Sequence, residues 1–253
     1  MSIRQRFITA VLLSFLLVII FPLYLNAEDD LKKADELYNK GGLENYKEAI
    51  TIYLKALENS PNSYAANWKC ARAYRDYADE AMIENLPDWK EICAEYGKLG
   101  MKYAEKAISI DSKKVDAYYY YGISLGVYST GVGKIKAIKE GLKDKLIKNM
   151  ETAYEIDKKY MDGGPPIVLG RFWAQVPWPF RDKDKALKYF RDYQSITKYN
   201  IAPDIRRIYI GELLIELGGD DNKKEAKELL ELAAQSKRKY YKDMANSLLS
   251  KLK

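Results

Sequence analysis

Histidine is absent from this 253-residue chain. That removes the commonest general base and the commonest metal ligand together, so neither catalysis nor a metal centre has its usual equipment. Cysteine is scarce, with only Cys70 and Cys93. An oxidising compartment would allow the two to pair. Each sits within a helical pattern among apolar neighbours, however, and packing as a small buried hydrophobe is the preferred reading. No stretch of strict apolar–polar alternation bounded by turn residues argues for a strand. Neither sign of charge dominates. The 42 basic and 36 acidic side chains give +6, dispersed through mixed-sign segments, and nucleic acid would want a concentrated basic face. Tyrosine is what the chain has in excess, with 22 copies. Apolar residues at 47% and charged residues at 31% supply a packed core and a solvated surface.

The N-terminus departs from this composition. Arg4 and Arg6 precede an apolar stretch from Phe7 to Phe21, Pro22 follows, and Asn26-Ala27 leads into Glu28-Asp29-Asp30. A basic end, an apolar middle, a breaker, a small residue and a polar start make the layout of an export signal. Leu25 stands where a cleavage site prefers a small residue, and the 19 residues from Phe7 to Leu25 approach the length that crosses a bilayer. Two readings of residues 1–27 stay open: a cleaved signal peptide, or a retained membrane anchor. Residues 28–253 then form one domain outside the cytoplasm, periplasmic in a bacterium, with membrane contact only through residues 1–27. Without Arg4 and Arg6 that domain keeps 40 basic against 36 acidic side chains.

Self-similarity runs through the rest. In Glu48–Pro61, Ala49, Tyr53, Ala56 and Pro61 match the second helix of a tetratricopeptide repeat. Small residues let adjacent helices approach, the aromatic fills the gap beside them, and proline ends the helix. The pattern returns at Tyr103–Asp111, Met150–Asp157 and Ala186–Phe190, and at Ala226, Leu230 and Ala233. First-helix pairs precede the copies: Ala34 and Leu37, Ala71 and Tyr74, Gly122 and Leu125, Gly170 and Trp173, Gly211 and Leu214. Residues 77–99 lengthen the turn of the second repeat, residues 126–145 lengthen the third, and an amphipathic helix from about Tyr240 to Leu252 ends the chain as a cap. Gly163-Gly164-Pro165-Pro166 breaks the chain between repeats three and four, and Pro177-Trp178-Pro179 punctuates repeat four. The expected fold is all-α, a tetratricopeptide-like helical-hairpin solenoid of about five repeats with a C-terminal capping helix.

The run Tyr160–Pro177, with its Gly163-Gly164 turn, aromatic helix and closing proline, followed by Asp184–Phe190, resembles the T-component family of tripartite ATP-independent periplasmic (TRAP) transporters. Repeat three, from Gly122 to Ala153, resembles that family and the related regulator-of-microtubule-dynamics proteins. The resemblance spans roughly residues 65–235. It implies a periplasmic helical-repeat protein that docks a protein partner, a transporter's substrate-binding protein, and passes a small apolar ligand. Many T-components carry a lipid on a cysteine near the N-terminus, which has no counterpart in this chain.

Site candidates follow from the repeat geometry. Gly131-Val132-Gly133-Lys134 fails as a phosphate loop, because Tyr128 replaces the leading glycine and Ile135 the Ser or Thr after the lysine. Asp220-Asp221-Asn222 is expected to cap a helix starting near Lys223. The concave face, lined by first helices, should carry Tyr38, Trp68, Arg72, Arg75, Tyr119, Arg171 and Gln175 as a partner-binding groove. Trp68 and Tyr119 serve equally well as packing between repeats, whereas the arginines favour the groove, since an unpaired buried arginine is costly. No catalytic residue, cofactor or metal is implied. The functional expectation is an exported module that binds a partner protein and catalyses nothing. The alternatives are a membrane-anchored scaffold for an envelope assembly and a carrier of a small apolar ligand. Intact mass of the exported protein separates the readings of the N-terminus: loss of 27 residues shows a cleaved signal, and a mass that begins at Met1 shows an anchor.

Overall fold

In the computed structural model, which describes residues 28–198 and 202–252, every regular element is helical. The candidate signal or anchor, residues 1–27, lies outside the described residues. The elements are α1 (28–40), α2 (Leu43–Asn59), α3 (Tyr64–Ile83), α4 (Trp89–Ile110), α5 (Val115–Val132), α6 (Lys134–Lys139), α7 (Leu142–Asp157), α8 (Tyr160–Gln175), α9 (Lys183–Ile196), α10 (Asp204–Leu217), α11 (Asp220–Ala233) and α12 (Lys239–Leu249). A 3-10 turn, Ser250–Leu252, follows. The pairs α1/α2, α3/α4, α5/α7, α8/α9 and α10/α11 are five stacked hairpins; α6 sits in the third connection, and α12 packs on α10 and α11 as the cap.

The packing explains why these segments are helices. In α2 the buried residues are Ala49, Ile50, Tyr53, Ala56 and Leu57, one stripe at helical spacing. Each second helix places fully buried alanines where it crosses its neighbour: Ala49, Ala104 and Ala107, Ala153, Ala186, and Ala226 and Ala233. Burying each large apolar side chain between repeats, Leu169, Phe190, Leu214 and Leu229 among them, contributes about 1.5–3 kcal/mol. Ends are marked chemically as well. The Ser63 hydroxyl accepts from the Ala66 N–H at 3.2 Å, and the Asp182 carboxylate from the Lys185 N–H at 2.8 Å.

Three local expectations need revision. The insertion at 77–99 lengthens the helices rather than the turn: α3 and α4 have 20 and 22 residues, and only 84–88 separate them. Continuous helix pairs the backbone groups of the insertion, and Gly97 and Gly131 let α4 and α5 touch. A Cβ at either would stand 2.5 Å from the backbone of the other helix. Second, Asp220 and Asp221 lie within the first turn of α11, after Gly219, and act on the helix dipole instead of capping it. Third, the break before repeat four is a left-handed turn. Met161, Asp162 and Gly163 have φ of 50, 55 and 81°, so the straight part of α8 begins only at Gly164. Left-handed non-glycine residues cost on the order of 1 kcal/mol or more. The turn is held by Arg206, whose Nη1 and Nη2 donate to the carbonyls of Asp162 and Met161 at 2.8 and 2.9 Å, and by the Thr197 hydroxyl, which donates to the Asp162 carbonyl at 2.8 Å. Pro165 and Pro166 then fall in the first helical turn, where a missing N–H costs nothing.

Two helical glycines should respond oppositely to the same substitution. A Cβ at Gly170 would stand 2.3 Å from the fully buried Phe190 ring, whereas one at Gly126 meets nothing within 4 Å. Gly170→Ala should lose about 1–3 kcal/mol of stability, and Gly126→Ala should gain up to about 1 kcal/mol. Urea midpoints that rank Gly126→Ala above wild type and Gly170→Ala below it would bear this out.

Candidate functional site

The first helices turn their inner faces onto one cavity of about 650 Å³, lined mainly from α1, α3, α5, α8, α10 and α12 and completed by residues of α4, α6 and α7. It is the concave face of the solenoid, covered in part by the C-terminal helix, not a cleft within one hairpin. Along α5 the lining residues Tyr119, Ile123, Gly126 and Thr130 recur at helical spacing, so one helix furnishes a wall. Gly126 is the open position in that stripe.

The walls differ in chemistry. On α3, Arg75 Nη1 donates to Asp76 at 2.7 Å and Nη2 pairs with Asp79 at 3.4 Å, while the Tyr38 hydroxyl donates a short hydrogen bond to Asp76. Burial holds the Asp79 carboxyl above its ordinary value against the pull of Arg75, and Asp76 and Glu80 add to the rise. Across from this polar wall, α7 and α8 present Leu142, Leu146, Ile167, Val168 and Phe172. The lining holds five cations, Arg75, Lys134, Lys143, Arg171 and Arg206, against the carboxylates of Asp76 and Asp79, so its charge is positive. Arg171 pairs with Glu212 and lies 4.1 Å above the Tyr209 ring. Burial, then the nearby Arg171, hold the Lys134 ammonium below its ordinary value.

Closure comes from the C-terminal cap. The apolar face of α12 packs Ala245 and Leu248 on Ile208, Leu230 and Ala233, with Tyr241 and Met244 at its margin, and Tyr240, Tyr241 and Met244 also line the cavity. Just ahead of α12, Arg238 reaches Glu80 on α3, 158 positions away in the chain. Its Nη1 and Nη2 donate to the two carboxylate oxygens at 3.0 and 2.5 Å, a bidentate clasp between the last element and the second repeat.

Of the residues expected in the groove, Tyr38, Arg75, Tyr119, Arg171 and Gln175 line the cavity. Trp68 and Arg72 stand apart from it. Trp68 stacks on Tyr120 with centroids 5.6 Å apart, and the Arg72 guanidinium lies 3.6 Å above the Tyr38 ring while donating to Asp35 at 3.1 Å and to the Tyr53 hydroxyl at 3.3 Å. Both belong to the early turns of α3, where Arg72 meets the first repeat and Trp68 meets α5 of the third. Asp76 and Asp79 were missed, although the spacing of four between Arg75 and Asp79 is a local ion-pair signal. Tyr209, Tyr240, Tyr241 and the Glu80–Arg238 clasp had no local signal at all. Cys70 and Cys93 are free and buried. Cys93 lines the cavity, its thiol donating weakly to the Ala78 carbonyl and pushed by burial to a pKa of about 12.

A family model described as regulator of microtubule dynamics protein 1-3 matches residues 30–176, more than half of the chain. No curated protein matches the sequence. Among solved structures, the thermophilic TPR protein TTC0263 of Thermus thermophilus superposes with a TM-score of 0.60 at 15% identity, covering 89% of this chain and 98% of that one, and shares the fold. The MamA protein and YrrB, a TPR protein with an unusual peptide-binding site, each give a TM-score of 0.48 at 16% identity. The MamA match covers 89% of this chain and 93% of that one, and the YrrB match 87% and 90%.

The clasp should govern access to the cavity, with Cys93 as its reporter. Glu80 is largely buried but the Arg238 side chain is 40% exposed, so the pair is worth about 1 kcal/mol after screening. Arg238→Glu should therefore raise the open population about fivefold. Cys93, followed by peptide mass after a timed pulse of a neutral maleimide, should label correspondingly faster while Cys70 does not. The exchanged pair Glu80→Arg/Arg238→Glu should restore the slow rate.

Proposed function

Given that the chain belongs to the regulator of microtubule dynamics protein 1-3 family, we propose that it is a binding protein rather than an enzyme, whose partly covered concave face takes a small, mainly apolar ligand with an anionic end. The observation that carries this is the cavity of about 650 Å³ that the first helices and α12 line together, a volume typical of small-molecule sites. The surface is deep but stays open beside Gly126, Thr130 and Lys134, and a ligand finds there an apolar wall for its body and a net positive lining for its head. Tyr119, Tyr209, Tyr240 and Tyr241 suit the boundary between the two, since tyrosine offers an apolar ring and a polar tip.

A partner protein is the second reading, favoured by the tetratricopeptide-like array itself, whose outer faces remain open for docking. In its sharper form the partner is the substrate-binding protein of a TRAP-type transporter, from or to which the ligand passes. The Gly163-Gly164 turn supports this form. Both glycines seat against tyrosine rings, Gly163 on Tyr193 and Gly164 on Tyr119, so the motif that carries the resemblance also shapes the cavity wall. The layout of residues 1–27 supports export, which places this exchange outside the cytoplasm, with the protein free or tethered to the inner membrane. Scaffolding of an envelope assembly has no comparable support.

Filling the open position tests the ligand reading. Gly126→Trp puts an indole into the cavity where no atom now lies within 4 Å of the Cβ site, so the fold should survive. Binding of the apolar anion anilinonaphthalene sulfonate, followed by its fluorescence, should weaken about tenfold or more. Equal affinity in wild type and Gly126→Trp, with thermal unfolding unchanged, overturns the assignment.

A further inference from the structure

Among the described residues the large apolar side chains exposed to solvent are few, and three of the five stand together. Ile135 on α6 is 65% exposed, and Trp178 and Phe180 in the α8–α9 connection are 88% and 41% exposed. Their neighbours fix the juxtaposition. Lys134 Nζ donates to the Gln175 carbonyl and side-chain oxygens at 3.3 and 2.9 Å, and Lys143 Nζ lies 4.8 Å from the centre of the Phe180 ring. Residues 134–143 and 175–180 are thus one surface. The loop is also braced: the Phe180 N–H donates to the Pro177 carbonyl at 3.0 Å and the Asp182 N–H to the Trp173 carbonyl at 3.2 Å, so Trp178 is presented on a fixed support.

The charge around these side chains is basic. Residues 134–145 carry Lys134, Lys136, Lys139, Lys143 and Lys145 against Glu140 and Asp144. Glu140 accepts from the Tyr128 hydroxyl at 2.7 Å, and Asp144 pairs with Lys143 at 2.6 Å. Lysine is depleted from protein–protein interfaces. Exposed tryptophan and phenylalanine among lysines are the chemistry of a membrane surface, where rings sit at the headgroup level and ammonium groups meet anionic lipid. We propose that α6 and the α8–α9 loop form a face that docks on an anionic membrane surface, with Trp178, Phe180 and Ile135 entering the headgroup layer. Lys134, Lys143 and Pro177 also line the cavity, and Lys134 is exposed, so this face borders an opening of the cavity. No described helix is long and apolar enough to cross a membrane, and this contact is one of surface adsorption, separate from any role of residues 1–27.

The test uses the full chain with vesicles whose lipids are brominated at the end of the acyl chains nearest the headgroups, so that indole seated in the headgroup layer is quenched and indole in water is not. With anionic phosphatidylglycerol vesicles, wild type should lose the emission that Trp178 contributes, whereas the loss should be absent in Trp178→Phe. Lys136→Glu/Lys139→Glu should remove most of the wild-type quenching, and so should replacing the anionic lipid by phosphatidylcholine. Trp178→Phe and the lysine pair are exposed changes, and unaltered thermal unfolding confirms that they leave the fold intact. Quenching of equal size in wild type and Trp178→Phe overturns the proposal and leaves a protein as the occupant of the face. Quenching of Trp178 that is equal on neutral and anionic vesicles overturns the electrostatic half of it.

Discussion

The closeness of helix to helix at alanine and glycine positions is the constraint from which the rest follows. Where α5 meets α4, a Cβ at Gly97 or Gly131 would lie 2.5 Å from the facing backbone, and at Gly100 one would lie 2.5 Å from the Ser124 hydroxyl oxygen. The buried alanines of the second helices do the same at the other crossings. Such contacts cannot be loosened gradually, because protein interiors are packed near crystal density and a single added carbon forces a backbone shift. The angle between successive hairpins is thereby set by small residues rather than by the large ones that supply most of the burial energy. Small residues set the curvature, and curvature determines whether the two ends of a solenoid meet.

In this chain they do meet. The capping helix is stabilised mainly by its apolar face against α10 and α11, and the Arg238–Glu80 pair adds little to the total, being part-exposed. Its importance is positional. Because contacts across the mouth between α12 and α3 are sparse, a bond of modest strength governs how far α12 covers the concave face. Repeat proteins behave as nearly one-dimensional stacks in which each unit feels its neighbours. A link between residues 80 and 238 breaks that rule and makes the terminal element sense the second repeat.

The legibility of the sequence tracks the range of the interactions. The five hairpins could be read from Ala49, Tyr53 and Ala56 and their copies because their packing is between adjacent helices at fixed spacing. The cap was readable for the same reason, from Met244, Leu248, Leu249 and Leu252. Five of seven groove residues came out on the cavity because first helices share one inward stripe. Trp68 and Arg72 lie off the cavity because Trp68 stacks on Tyr120 of α5 and Arg72 is engaged by Tyr38, Asp35 and Tyr53 of the first repeat, contacts that no spacing rule contains. Glu80–Arg238 was invisible because nothing local distinguishes an arginine that crosses the mouth from one that faces water.

The left-handed turn at Met161–Gly163 joins these levels. Its backbone is unfavourable by itself, so it persists only because Arg206 and Thr197 hold its carbonyls. Arg206 comes from α10, two elements downstream, and lines the cavity alongside Met161. The same guanidinium therefore satisfies a strained turn and contributes positive charge to the site. The turn also directs Gly164 against Tyr119, so the ring that forms part of the α5 wall is held by backbone on one side and by the edge-on Tyr160 ring as well. Strain relieved by a residue of the binding wall couples the stability of the fourth repeat to the shape of the cavity. Any ligand that draws Arg206 away would have to make up for both of its carbonyl contacts with contacts of its own. That favours ligands that leave Arg206 in place and meet the lining through Arg75, Lys134 or the tyrosines.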